Sequence, residues 1–66
     1  MKTYEFYDNG RTHIDTLALM PGQLRATARR MFGEYTAYVD VLNEGVLVAR
    51  VERDGKVPVR RQAWGR

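Results

Sequence analysis

The sequence predicts an α+β domain: an antiparallel sheet of four or five strands with one amphipathic helix packed on one face, in the order β-β-α-β-β-β. Aromatic and β-branched residues occur in short runs separated by turn signals, which is typical of strands. One segment, residues 21–33, instead has apolar residues at helical spacing. The chain has 66 residues and no cysteine, so we expect a single small domain whose core depends on packing alone.

Residues 3–16 are expected to form the first hairpin, because a strand-prone aromatic run precedes a turn signal. A two-residue Asn9-Gly10 turn would place Ile14 on the face opposite Phe6. We therefore predict a three-residue loop, Asp8-Asn9-Gly10, with Gly10 left-handed and Tyr7 paired with Arg11. One face of this hairpin would hold Tyr4, Phe6, Thr12 and Ile14, and the other Glu5, Tyr7, Arg11 and His13.

The helix is predicted to begin at Pro21, whose missing N–H costs nothing in a first turn, and to end at a left-handed Gly33. Its apolar stripe follows positions i, i+4, i+7 and i+8. The stripe consists of Leu24, Ala28, Met31 and Phe32. A helix that continues to Asn43 is the alternative, and Gly33 with the β-branched residues after it argues against that alternative.

From Glu34 onward the apolar period changes to two, which predicts strands. Tyr35, Ala37, Val39 and Val41 are expected to share one face of the first of these strands. Residues 43–45 form a turn, residues 46–51 a second strand, and Asp54-Gly55 the next turn. Residues 57–64 are a last strand, which Pro58 confines to an edge of the sheet.

The composition excludes several kinds of catalysis. The chain contains neither serine nor cysteine, so the usual hydroxyl and thiol nucleophiles are absent. The single histidine, His13, is expected to stand opposite Glu5 on a polar sheet face, with Thr12 on the other face. One histidine without cysteine does not make a structural zinc site, and no glycine-rich phosphate loop occurs. We therefore predict a protein that is not an enzyme and has no cofactor or metal.

Basic residues are unevenly distributed along the chain. Residues 1–20 carry a net charge of −1 and residues 21–66 a net charge of +4, and nine of the eleven bases are arginine. Arginine binds phosphate or carboxylate through a planar fork of donors. The predicted binding residues are Arg25, Arg29 and Arg30 on the helix, and Arg60, Arg61 and Trp64 near the C-terminus. A solvated face for the helix, and a core position for Trp64, are the alternatives that remain open.

These features predict a small non-catalytic binding protein whose partner is nucleic acid or a nucleic-acid-processing complex. No apolar run is long enough to span a membrane and the N-terminal residues do not resemble a signal peptide, so we expect a cytoplasmic protein. Such a short chain gains stability from association, and a homodimer is therefore also expected. The alternative is a self-associating structural module without a role in nucleic-acid binding.

Three short segments carry a resemblance to known proteins. They are Ala28-Arg29-Arg30 with Phe32-Gly33 on the helix, residues 47–50 (Leu-Val-Ala-Arg) and residues 54–56 (Asp-Gly-Lys). Together with the order of elements, they resemble very small phage and mobile-element proteins, including small anti-CRISPR inhibitors of type I systems, and the resemblance covers about half of the chain. The resemblance implies occlusion of a nucleic-acid-handling complex in the host cytoplasm, without catalysis, and assigns no role to any residue.

Overall fold

The computed structural model of the chain describes residues 1–53 and the backbone of residues 62 and 63. Its strands are β1 (Lys2–Asp8), β2 (His13–Leu19), β3 (Tyr38–Asn43), β4 (Val46–Glu52) and β5 (Gln62–Ala63). A 3-10 turn, Pro21–Gln23, leads into the helix α1, Leu24–Arg29. The strands form one antiparallel sheet in the order β2-β1-β3-β4-β5. The predicted α+β class and the order of elements are confirmed.

The hydrophobic core lies between α1 and the face of the sheet that α1 covers. Phe6 of β1 pairs with Val41 of β3, and Val39 of β3 pairs with Val51 of β4, so these side chains form adjacent rows on one face. All four are fully buried. The helix contributes Ala28, which is also fully buried, with Leu24, Met31 and Phe32 packed around it. The predicted apolar stripe is therefore confirmed.

The helix itself is shorter than predicted. Beyond Arg29 the chain tightens, because the Met31 N–H donates to Ala28 O at 3.0 Å and the Phe32 N–H to Arg29 O at 3.4 Å. These bonds span three residues, as in a 3-10 turn, and they bring Met31 and Phe32 back towards the core. Gly33 lacks the predicted left-handed backbone, and β3 replaces the alternative in which the helix continues to Asn43.

The first hairpin has a three-residue loop, but it lies one residue later than predicted. Asp8 and Thr12 close the loop, with Asp8 N–H donating to Thr12 O at 3.0 Å, and Arg11 rather than Gly10 is left-handed, with φ 63°. The Asp8 carboxylate fixes this arrangement, since its Oδ1 accepts from the N–H groups of Gly10 and Thr12. The predicted pairing of Tyr7 with Arg11 is therefore wrong.

A bulge after this loop alters the faces of the second strand. Tyr7 pairs with His13 and Phe6 with Asp15, so Ile14 is the extra residue and is 36% exposed. The prediction that Thr12 and Ile14 share the buried face of Phe6 is wrong. Leu17 lies on the buried face instead, where it pairs with Tyr4, whose side chain is buried.

Residues 33–37 form a connecting segment, and β3 begins later than predicted. Tyr35 is 88% exposed and therefore does not share the buried face of Val39 and Val41. Two hydrogen bonds tie Ala37 of this segment to the rest of the fold: the Ala37 N–H donates to Asn9 Oδ1 at 2.8 Å, and the Arg53 N–H donates to Ala37 O at 3.1 Å. The predicted turn at residues 43–45 is present, and most of the predicted last strand, residues 57–64, lies outside the described residues.

Candidate functional site

Three of the predicted binding residues lie together on the outer side of α1 and the turn after it. Arg25 and Arg29 are one helical turn apart, Arg30 follows α1, and all three are exposed because the apolar stripe occupies the inner side. Within residues 1–53, none of them forms an ion pair or a hydrogen bond through its side chain. Residues 16–33 contain no acidic residue, so these positive charges are not neutralised locally. We call these three residues the helix arginines.

A fourth arginine, Arg53, adjoins this surface although the sequence did not single it out. It follows β4, and its guanidinium Nη2 lies 2.8 Å from Gly33 O, 2.5 Å from Thr36 O and 3.3 Å from Glu34 O. Its guanidinium carbon lies 5.6 Å from the centre of the Phe32 ring. The connecting segment thus holds the Arg53 side chain in place through neutral acceptors, and within residues 1–53 no carboxylate pairs with its positive charge.

Arg29, Phe32 and Arg53 line a small open cleft of about 220 Å³ at the end of α1. Two arginines from distant parts of the chain therefore meet beside an aromatic ring. Sequence spacing gave no signal for this, because residues 29 and 53 are brought together only by the packing of α1 against the end of β4. The cleft and the helix arginines form one continuous basic surface.

Arg50 differs from the arginines of the basic surface, because Asp40 neutralises it on the face of the sheet that α1 does not cover. Its Nε lies 2.6 Å from Asp40 Oδ1 and its Nη2 3.1 Å from Asp40 Oδ2, and its guanidinium stacks 3.9 Å from the centre of the Tyr38 ring. The hydrogen bond to Asp40 raises the pKa of Arg50, and burial opposes this effect only in part. Asp40 is only 2% exposed. This two-pronged contact occupies the donor fork of Arg50, so Arg50 contributes little to ligand binding.

Asp40 and Arg50 belong to a row of side chains that crosses four strands. The pairings place His13 beside Tyr7, Tyr7 beside Asp40, and Asp40 beside Arg50. His13 and Tyr7 contact each other with ring centres 5.3 Å apart. This part of the helix-free face of the sheet is therefore organised by polar and aromatic contacts.

His13 does not stand opposite Glu5 as predicted, because the bulge moves Thr16 into that position. Instead, His13 Nε2 lies 2.7 Å from Thr16 Oγ1. A hydroxyl next to an imidazole is one part of a nucleophilic site, but such a site also needs a group that orients the ring and donors that stabilise an oxyanion. Within residues 1–53, no hydrogen bond orients the second ring nitrogen, and both residues are exposed on the edge strand. The pair therefore does not assemble the remaining parts of a catalytic site.

The other predicted binding residues, Arg60, Arg61 and Trp64, lie outside the described residues. A wider cleft of about 600 Å³ occurs near the N-terminus, lined by Met1, Lys2, Thr3, Glu5, Asn43 and Glu44. Its lining includes the carboxylates of Glu5 and Glu44 and no arginine, so its charge differs from that of the basic surface. Over the described part of the chain, no three His, Asp or Glu side chains come together as metal ligands.

The helices within the described residues are all too short or too polar to cross a membrane. Comparison with known proteins finds no family model that matches the chain, and no curated protein or solved structure that is significantly similar to it. Functional inference therefore depends on the basic surface itself.

Proposed function

We propose that the chain is a non-catalytic binding module that contacts nucleic acid through the helix arginines. The observation that carries this proposal is that Arg25, Arg29 and Arg30 are exposed together and have no acidic partner within residues 1–53. Binding an external anion therefore requires no internal ion pair to be broken. The guanidinium fork also matches the geometry of phosphate oxygens better than an ammonium group does.

The distribution of charge supports a polyanionic partner. Acidic residues of the chain lie before residue 16 or after residue 33, so α1 presents three positive charges as an uninterrupted group. Exposed charges of this kind attract phosphates over about a Debye length, close to 10 Å at moderate salt. The protein acts in the cytoplasm, and a complex that already holds nucleic acid is the setting that the resemblance to small phage proteins implies.

Fluorescence anisotropy with labelled single-stranded and duplex oligonucleotides tests the proposal. For three phosphate contacts we expect log K to fall against log salt with a slope of about −2.7 for duplex and about −2.1 for single strands. We expect R25Q/R29Q to lower affinity about tenfold at low salt and to reduce the duplex slope by about 1.8. The matched control is K2Q/R11Q, which removes the same formal charge from the first hairpin and should lower affinity less than about twofold.

Both double variants should first show the circular dichroism of the native chain, since Arg11 makes interactions of its own. Absence of binding at low salt, or binding that does not weaken as salt rises, would exclude direct phosphate contact. Equal losses in the two double variants would show that only net charge matters, and would refute a role for the helix surface.

A second candidate function is self-association through the edge strand β2. This strand has seven residues and forms one edge of the sheet, and most of its residues are exposed. It contains neither proline nor lysine, the residues that commonly protect an edge from pairing. Asp15 Oδ1 accepts from the Thr16 N–H at 2.8 Å, so one backbone donor of this edge is occupied within the chain. Sedimentation velocity decides this candidate: a dimer that Ile14→Lys dissociates supports it, and a monomer at the highest soluble concentration excludes it.

A further inference from the structure

We propose that the cleft lined by Arg29, Phe32 and Arg53 is a phosphate-binding subsite that uses the charge of Arg53 and the N–H donors that its contacts with residues 33–36 leave free. The proposal rests on the proposed function, because it names the point on the basic surface at which one phosphate group is held. It also assigns a role to Arg53, which does not belong to the helix arginines.

The first reason is that Arg53 is already positioned. The carbonyl groups of Gly33 and Thr36 accept from its Nη2, and its own backbone N–H is bonded to Ala37 O. The Phe32 ring lies beside the guanidinium at 5.6 Å. A side chain held in this way loses little further freedom when a ligand binds, which favours affinity.

The second reason is that Arg53 retains donors for a ligand. An arginine has five N–H donors in a planar fork, and the contacts that hold Arg53 all involve Nη2. Within residues 1–53, its Nε and Nη1 have no hydrogen-bond acceptor. These two groups lie on either side of Cδ and do not form a two-pronged edge, so a phosphate oxygen in the cleft would accept a single hydrogen bond from one of them. At Arg50, by contrast, the carboxylate of Asp40 occupies Nε and Nη2, the two donors on one edge of the guanidinium.

The third reason is the second charge and the size of the cleft. Arg29, the last residue of α1, lines the same cleft and is exposed, so it can approach the anion from the other side. Glu34 and Glu52 lie close in sequence to the cleft, but neither of them lines it. Its volume of about 220 Å³ fits a phosphate group with some water, and is below the roughly 300 Å³ at which pockets begin to hold larger ligands.

The ligand chemistry is therefore a single phosphate group, supplied either by a terminal 5′-phosphate or by an internal diester. Titration of the ¹⁵N-labelled protein with inorganic phosphate, followed through the Arg53 Nε–Hε signal and the amides of residues 33–36, tests the subsite directly. Separate titrations with single-stranded oligonucleotides that carry or lack a 5′-phosphate distinguish the two sources. We expect inorganic phosphate to shift these signals in the native chain.

Arg29→Gln and Arg25→Gln form a matched pair, because both arginines are exposed on α1 and only Arg29 lines the cleft. We expect R29Q to weaken phosphate binding about tenfold, the equivalent of one charge-assisted hydrogen bond, and R25Q less than about twofold. R53K keeps the charge and removes the positioned Nε and Nη1 donors, and should also weaken binding about tenfold. If R53K alters the fold by releasing residues 33–36, the R29Q and R25Q comparison decides alone.

The outcomes separate this proposal from the proposed function. Equal weakening by R25Q and R29Q, or oligonucleotide binding that leaves the Arg53 signal unmoved, would overturn the subsite while the helix surface stands. Phosphate binding at Arg53 without any oligonucleotide binding would support the subsite and refute the proposed function. A response only to the 5′-phosphorylated strand identifies the terminal group as the source, and equal responses to both strands identify the diester.

Discussion

The Asp40–Arg50 pair provides the sharpest test of how this small fold is stabilised. Replacing Arg50 with methionine keeps most of the side-chain volume but leaves the Asp40 carboxylate without its guanidinium partner. Asp40 is 2% exposed and cannot recover hydration easily, whereas the Arg50 side chain is 35% exposed. We therefore expect the two halves of the pair to respond unequally to mutation.

Removing one partner of a buried pair typically costs about 3–5 kcal/mol, because the other charge is left uncompensated. Asp40 has a further interaction besides the one with Arg50, so we expect Arg50→Met to cost about 3 kcal/mol, the lower end of that range. In Asp40→Asn, Arg50 keeps its solvent contact and its stacking on Tyr38, and the amide oxygen still accepts one hydrogen bond. We expect Asp40→Asn to lower the free energy of unfolding by about 1.5 kcal/mol. The free energy of unfolding of a 66-residue domain is about 3–10 kcal/mol, so the loss expected for Arg50→Met is a large part of it.

Urea unfolding followed by circular dichroism measures these losses, and urea leaves the ion pair unscreened. The double variant should lose less than the sum of the single losses by at least about 1 kcal/mol, since the residues interact directly. The pKa of Arg50 is raised in the folded protein, so its ionisation adds to the free energy of unfolding. This stabilisation is fully present below the ordinary pKa of arginine and is lost only as the pH rises through the higher pKa of the folded state. Stability from Arg50 ionisation should therefore not fall between neutral and mildly alkaline pH.

Three results would contradict this account. One is an Arg50→Met variant that loses less than about 1 kcal/mol, which would show that the carboxylate is hydrated in the native state. Another is an Asp40→Asn loss larger than that of Arg50→Met, which would reverse the predicted asymmetry. The third is strict additivity in the double variant, which would mean that the two side chains act independently.

Further predictions concern the turns and the core, and urea unfolding measures each of them. Gly45→Ala should cost about 1 kcal/mol, because Gly45 has φ 79°, whereas Gly22→Ala should be neutral or stabilising, because an added Cβ would meet no atom within 4 Å. Asn9→Ala removes the acceptor for the Ala37 N–H and should cost about 1 kcal/mol; an unchanged midpoint would show that water replaces it. Phe6→Ala should cost about 3–5 kcal/mol and leave the chain largely unfolded, and a cooperative native-like transition would contradict the central role of Phe6.

The elements with a clear apolar period were predictable from sequence, and those set by side-chain hydrogen bonds were not. Val39 and Val41 alternate with polar residues, and Leu24 and Ala28 follow helical spacing, so the buried faces of β3 and α1 could be assigned in advance. The loop of the first hairpin was misplaced by one residue because the Asp8 carboxylate holds the N–H groups of Gly10 and Thr12. Propensity alone does not reveal such a contact.

The candidate site likewise has one part that was predictable from sequence and one part that was not. The helix arginines are exposed as a group because they alternate with the buried stripe, which the sequence displays. The role of Arg53 depends on carbonyl groups of residues 33–36, for which the sequence predicts the end of the helix at Gly33 and the start of a strand at Glu34. A cleft between the end of one strand and the end of a helix requires knowledge of how the two pack, and no local pattern in either segment encodes it.

The pairing of β1 with β3 also has a consequence for folding kinetics. Each of the hairpins β1–β2 and β3–β4 connects residues close in sequence, but Phe6 meets Val41 only when the two hairpins dock side by side. The entropic cost of closing the long loop between β1 and β3 arises before the contacts between these strands can stabilise the chain. We therefore expect docking along β1 and β3 to limit the folding rate. Substitutions along this junction should slow folding, whereas those at the outer strand β2 should mainly accelerate unfolding. β1 therefore reaches its final place in the sheet only after β3, which follows it in the chain, has formed.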